Sequence, residues 1–146
     1  EGYPSIDRRF PGSFGSAYMY FVVPKVILFR PEHSRRVFVN KVDFISAPGV
    51  SAANVYRPGG PKFLVTELCL MSFNPKDQIF RLESVHPGRT VEEVQDNTGF
   101  EFVIPENIIN TAEPEEKWLH TLRTQVRGEI GKTYPAFTSR VFGGHA

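Results

Sequence analysis

The run from Pro61 to Phe100, PKFLVTELCLMSFNPKDQIFRLESVHPGRTVEEVQDNTGF, constrains the fold more than any other part of the sequence. Residues 63–66 and 68–71 are rich in β-branched and aliphatic side chains and are expected to form one strand. Residues 78–85 then form its hairpin partner, across an Asn74-Pro75-Lys76-Asp77 turn built from strong chain-reversing residues. In that partner the period of two puts Phe80 and Leu82 toward a core, and Arg81 and Glu83 toward water or another subunit. Thr90-Val91-Glu92-Glu93 follows as a capping box: the Thr90 hydroxyl can accept the Glu93 N–H while the Glu93 carboxylate reaches back. Val91 and Val94 supply the buried stripe, and Gly99 is expected to stop the helix.

The flanks read less sharply. Residues 25–30, KVILFR, read as a buried strand that stops at Pro31. After a polar Glu32-His33-Ser34 turn, residues 36–39 and 42–45 are expected to be further sheet elements, with His33 solvated in the turn. A second helix begins near Pro114, with Glu113, Glu115 and Glu116 at the positive end of its dipole. It carries Trp118, Leu119, Leu122 and Val126 on one stripe and ends near Gly128. Residues 129–146 are expected to be an irregular tail whose Tyr134, Phe137 and Phe142 pack on something, a partner subunit included. Strands thus outnumber helices in an α/β domain over residues 1–128, followed by the tail over 129–146.

Composition narrows the function classes. The chain of 146 residues fits one core, and 17 basic against 16 acidic residues leave a net charge of +1, so no broad field draws nucleic acid or an anionic membrane. No apolar run reaches the roughly 20 residues of a membrane span. The start at Glu1 lacks an initiator Met and a signal-peptide core, and is expected to be a processed end or the edge of a piece. The single Cys69 excludes an internal disulfide. Lying in Leu68-Cys69-Leu70-Met71, it reads as a buried thiol without a cation to stabilise its thiolate, compatible with a reducing compartment.

Three segments hold candidate chemistry. Gly12, Ser13, Phe14 and Gly15 offer closely spaced glycines, which let backbone N–H groups approach an anion or make a plain loop. Arg35, Arg36 and Lys41 can meet phosphates, or flank a strand at an interface. His86, ahead of Pro87-Gly88, can act as acid or base, but nothing stands at metal-ligand spacing from it and it reads as part of a tight turn. No G-x-S-x-G, P-loop or G-x-G-x-x-G occurs, and no metal site is expected.

Taken together, LESVHPG at residues 82–88, the capped Thr90-Val91-Glu92-Glu93-Val94 and Thr98-Gly99-Phe100 resemble the C-terminal part of the β subunit of family I CoA-transferases of the glutaconate type. There, a strand close to LESLHPG is followed by T-x-E-x-V and T-G-F. Upstream, Gly12, Ser13 and Gly15 match a family segment reading like P-G-S-G-G-A-N-D, with Phe14, Ala17 and Tyr18 standing where that segment has Gly, Asn and Asp. His33 to Asp43 is similar to H-E-K-R-R-F-V-x-K-V-D. The resemblance covers roughly residues 8 to 104.

It implies an open mixed α/β sheet with flanking helices of the CoA-transferase (NagB/RpiA-like) type, only partly contained in this chain. It further implies an acyl-CoA-binding loop of Gly12, Ser13, Phe14 and Gly15 whose backbone helps hold the thioester oxygen, and CoA-phosphate contacts from Arg35, Arg36 and Lys41. Coenzyme A would be a substrate, with no permanently bound cofactor. The partner would be an α-type subunit in a cytoplasmic hetero-oligomer. The family's thioester-attacking glutamate matches no residue here, so no catalytic residue is assigned and the isolated chain is expected to be inactive. Three functions follow: a CoA-transferase subunit, which the Pro58-Gly59-Gly60-Pro61 approach favours; a subunit of a CoA-dependent C–C bond hydrolase or decarboxylase of the same fold; and a non-catalytic subunit that stabilises an oligomer.

Overall fold

The apolar alternation of the central run builds a five-stranded sheet of order β1-β2-β3-β4-β5, in a computed structural model that describes Gly12 and residues 14–143. A helix α1 (Phe14–Val22) leads into β1 (Val26–Arg30); β2 (Pro61–Thr66), β3 (Cys69–Asn74) and β4 (Ile79–Val85) follow, then α2 (Val91–Asn97) and the short β5 (Ile109–Asn110). β1 pairs parallel to β2, β3 antiparallel to β2 and β4, and β5 parallel to β4. β3 alone therefore opposes the common direction.

The expected hairpin across residues 74–77 forms. Asn74 Oδ1 accepts the Lys76 N–H at 2.9 Å and Asn74 Nδ2 donates to Asp77 Oδ2 at 2.6 Å, while Gln78 takes a left-handed φ of 54° to close the turn. The segment expected to be one strand over 63–71 is two. Thr66 Oγ1 accepts the N–H groups of both Leu68 and Cys69 at 3.1 Å, and this side-chain turn reverses the chain. The strands expected over 36–39 and 42–45 are absent. Val37 and Phe38 instead donate to the Ser34 carbonyl at 2.9 and 2.8 Å, so local turns take the groups that a ladder would have used.

One row crosses the sheet: Leu28, Leu64, Met71 and Leu82 are register partners. Leu64, Met71 and Leu82 are buried together with Leu68, Cys69, Val85 and Val94, and Phe38, Phe80, Val91, Phe102 and Ile108 pack against them. On α2 the Thr90 hydroxyl accepts the Glu93 N–H at 3.1 Å as expected, but the Glu93 carboxylate takes the Arg89 guanidinium at 2.9 Å. Gly99 is not a left-handed stop either. Its N–H donates to the Phe38 carbonyl at 2.7 Å, and a Cβ there would overlap that oxygen, so glycine is needed for the close approach.

Contacts divide the chain between Thr111 and Ala112. The second unit is helical: α3 (Glu116–Thr121), a π-helical turn over Leu122–Val126, α4 (Arg127–Thr133) and α5 (Pro135–Phe142). The irregular tail expected over 129–146 is thus helix as far as Phe142. Tyr134, at φ −128° and ψ 64°, breaks the chain direction, and Pro135 opens α5 at a position where its missing N–H costs nothing. Helix also runs on past Gly128. Trp118 and Leu122, expected on a packed stripe, are exposed.

Candidate functional site

Because β1, β2, β4 and β5 share one direction, the segments leaving them gather at one end of the sheet, where open α/β sheets place their ligand sites. His33 follows β1, Thr66 and Glu67 close β2, His86 follows β4 and Thr111 follows β5. These side chains form one hydrogen-bonded cluster.

His33, expected in solvent, is 4% exposed. Its Nδ1 lies 2.8 Å from Thr66 Oγ1, its Nε2 lies 2.9 Å from Thr98 Oγ1, and its N–H donates to Glu67 Oε1 at 3.0 Å. The proton positions follow from the remaining bonds. Thr98 spends its own hydrogen on the Val94 carbonyl at 2.7 Å, so it accepts from His33 Nε2–H. Thr66 Oγ1 already accepts two N–H groups, and its one hydrogen goes to Nδ1 at 2.8 Å in preference to the Cys69 carbonyl at 3.4 Å. A neutral ring satisfies every partner. Burial pushes the His33 pKa down to match, against the attraction of the Glu67 and Glu93 carboxylates.

Cys69 Sγ sits 3.9 Å from His33 Nδ1 and is fully buried, which raises the thiol's pKa and leaves it an unreactive core group, as its apolar context implied. His86 is structural: Nε2 donates to the Thr66 carbonyl at 2.9 Å, Nδ1 lies 2.9 Å from Thr111 Oγ1, and Thr111 meets Ser84 Oγ at 2.7 Å. The two histidines therefore grip Thr66 from its side chain and its carbonyl. Sequence reasoning missed Thr66, Thr98 and Thr111. The available signal was Thr66 itself, a hydroxyl at the core-facing register of an apolar strand, two residues after Leu64, where only a buried partner satisfies it.

The other expected site residues lie apart from this cluster. Gly12 and Gly15 are exposed, with nothing within 4 Å of a Cβ placed at either; Phe14 and Gly15 open α1, and Ser13 lies outside the described residues. Arg35 donates through Nε to the Asp96 carbonyl at 2.6 Å. Arg36 pairs with Glu32, whose carboxyl is held below the usual carboxylate range by the Ser34 hydroxyl and, after it, by Arg36. Lys41 is exposed. On the core side, a cleft of about 310 Å³ opens between α1 and the β3–β4 hairpin, lined by Tyr20, Leu28, Pro48, Gly49, Phe73 and Phe80. Among the described residues no group of His, Cys, Asp and Glu could hold a metal ion, and no helix is long and apolar enough to cross a membrane.

No protein-family model matches the chain. Individual relatives do. It is 34% identical over 121 residues to the B subunit of the 3-oxoadipate CoA-transferase of Pseudomonas knackmussii, covering 79% of this chain and 46% of that one. It is 33% identical to the cholesterol ring-cleaving hydrolase IpdB subunit of Rhodococcus jostii, over 63% of this chain and 38% of that one. To the B subunit of the glutaconate CoA-transferase of Acidaminococcus fermentans it is 30% identical, over 64% and 37%.

Among solved structures, Rhodococcus jostii IpdAB matches with a TM-score of 0.70 at 30% identity, over 82% of this chain and 50% of that one. Acidaminococcus fermentans glutaconate CoA-transferase matches with 0.65 at 26%, over 81% and 47%, and the decarboxylase AibA/AibB with 0.61 at 25%, over 82% and 45%. The chain spans less than half the length of each curated relative named here. In sequence and in fold, this chain is homologous to the B subunits of the glutaconate-type CoA-transferase family.

Proposed function

We propose that the chain is part of the B subunit of a cytoplasmic acyl-CoA enzyme of the CoA-transferase type, working with an α-type subunit in a hetero-oligomer and taking CoA thioesters as substrate. The observation that carries this reading is the kinship to two CoA-transferase B subunits in sequence, together with the glutaconate CoA-transferase fold. The geometry of this chain supports specific roles. Gly12 and Ser13 precede, and Phe14 and Gly15 open, a nine-residue helix, and the positive end of its dipole favours the developing negative charge of a thioester oxygen. Arg35, Arg36 and Lys41 supply phosphate contacts. The Arg36–Glu32 pair is exposed and weak, so it yields readily to a phosphate. The His33–Thr66–His86 cluster holds the segments at the strands' carboxyl ends in place and takes no proton from substrate. The attacking carboxylate comes from outside this chain.

The test is CoA exchange. The purified chain, given an acyl-CoA and acetate, gives none above background, and acyl labelling of any of its glutamates would sink the proposal. With an α-type subunit and the remaining B-subunit portion present, exchange appears, and the pair Arg35→Ala and Arg36→Ala raises KM for acyl-CoA with kcat little changed.

The kinship to IpdB favours one second reading, a CoA-dependent C–C bond hydrolase. The same assembly would then consume water and open a ring-ketone CoA ester without any acceptor acid.

A further inference from the structure

The cations of the helical unit over Ala112–Ala146 divide into two kinds. Lys117 pairs with Glu115 at 2.7 Å, Lys132 pairs with Glu129 at 2.6 Å, and Arg140 lies over the Phe137 ring, 5.7 Å from its centre. The guanidinium groups of Arg123 and Arg127 meet no carboxylate, ring or carbonyl among the described residues. They stand four residues apart, the spacing at which like charges on a helix repel, and an anion bridging the two would relieve that repulsion. Arg123 belongs to the π-helical turn and Arg127 closes it; such turns are rare and recur at functional sites.

Both arginines line a cleft. Tyr134 breaks the helix and Pro135 restarts it, so α5 folds back and brings Val141 and Phe142 to the same cleft as Leu119 and Leu122. With the two arginines, these four apolar residues enclose about 240 Å³. Leu122 and Val141 are still 41% and 48% exposed, so a hydrocarbon group seated there would remove apolar wall from water. A cavity of about 150 Å³ holds a benzene molecule, and this one therefore has room for one ring or a short alkyl chain. Walls of Leu, Val and Phe do not replace the hydration of a bare inorganic anion, so the charge has to arrive on a molecule that also brings an apolar part.

We propose that this cleft binds a small carboxylic acid with an apolar tail, its carboxylate received by Arg123 and Arg127 and its tail by Leu119, Leu122, Val141 and Phe142. The planar guanidinium fork matches the two oxygens of a carboxylate, and the charge-assisted bonds it makes are stronger than neutral ones. The proposal stands on the helical unit alone and does not depend on CoA chemistry.

Isothermal titration calorimetry of the full chain with acetate, butyrate, hexanoate, octanoate and decanoate tests it. Affinity should rise about fourfold for each methylene the cleft buries and level off by decanoate as the space fills. Octanamide, of the same length without the charge, should bind about tenfold or more weakly than octanoate, and equimolar inorganic phosphate should not displace octanoate. The pair Arg123→Gln and Arg127→Gln should weaken octanoate about 100-fold, roughly tenfold for each charged bond lost. Lys132→Gln, which removes a cation already paired with Glu129, should leave it unchanged. Circular dichroism reports whether each variant keeps its helices. Should the glutamine pair lose them, Arg123→Lys with Arg127→Lys decides: charge kept without the fork should weaken octanoate about tenfold. No binding of octanoate at millimolar concentration overturns the proposal. So does an arginine pair whose loss changes nothing, octanamide binding as well as octanoate, or a Lys132→Gln loss as large as that of the arginine pair. Displacement by phosphate overturns it in favour of a site for bare anions, and an affinity that keeps climbing beyond decanoate overturns it in favour of adsorption to exposed apolar surface.

Discussion

Replacing His33 by Gln tests whether a buried neutral imidazole sets the acid limit of this fold. The ring is 4% exposed and fixed by Thr66 and Thr98 in the uncharged form, so its folded pKa lies below the ordinary value of about 6.5 that it regains on unfolding. With a depressed histidine pKa, the unfolded chain binds the proton first. The group's contribution is therefore complete above about pH 6.5 and is lost as pH falls from there toward the folded pKa. The loss grows by at most about 1.4 kcal/mol per unit of acidification and stops where the folded pKa is reached. The Glu67 and Glu93 carboxylates face the ring and oppose this by favouring the charged form, so Glu67→Gln should extend the loss to lower pH.

His33→Gln keeps a donor and an acceptor but cannot titrate. At pH 7.5 it should cost about 2 kcal/mol through imperfect pairing of the two threonines, and its stability should fall less steeply with acid than the parent's. Urea denaturation at a series of pH values measures both curves. Parallel curves for the two proteins would refute the neutral-ring assignment.

Gly99→Ala should destabilise by about 3 kcal/mol or more because a Cβ there collides with the Phe38 carbonyl, whereas Gly88→Ala, strained only by its φ of 79°, should cost about 1 to 2 kcal/mol. Equal midpoint shifts in chemical denaturation would contradict the close-approach argument. Thr90→Ala should cost about 1 kcal/mol by uncapping α2, and Glu93→Ala less, since its carboxylate only joins an exposed pair with Arg89. An unchanged midpoint for Thr90→Ala means the cap contributes nothing. Cys69 should react with a thiol reagent at neutral pH only as fast as the protein unfolds, and prompt stoichiometric labelling of the native chain would contradict its burial.

Elements whose causes are local were legible in the amino-acid order alone. The Asn74-to-Asp77 turn, the alternation of Phe80 to Glu83 and the Thr90 cap each carry their reason within a few residues and appear where they are expected, whereas β1 forms over Val26–Arg30 but leaves Ile27 and Phe29 exposed instead of buried. The family kinship was legible for the same reason, because it rests on contiguous motifs. What failed was decided at a distance. His33 looks like a turn residue until Thr66 and Thr98, 33 and 65 positions away, close on its ring. Residues 36–39 carry strand composition, yet the Ser34 and Phe38 carbonyls bind N–H groups in a turn and at Gly99, which no periodicity encodes. The helices past Gly128 were hidden by a Tyr-Pro pair that reads as irregular chain in sequence but is a joint between two helices. Local propensity is a weak prior, and long-range pairing of backbone and buried polar groups overrides it because leaving such groups unsatisfied costs more than any propensity supplies. Arg35, Arg36 and Lys41 show the limit of spacing alone: only the tertiary structure could tell that Arg35 is held by the end of α2 and Arg36 by Glu32, while Lys41 stays exposed.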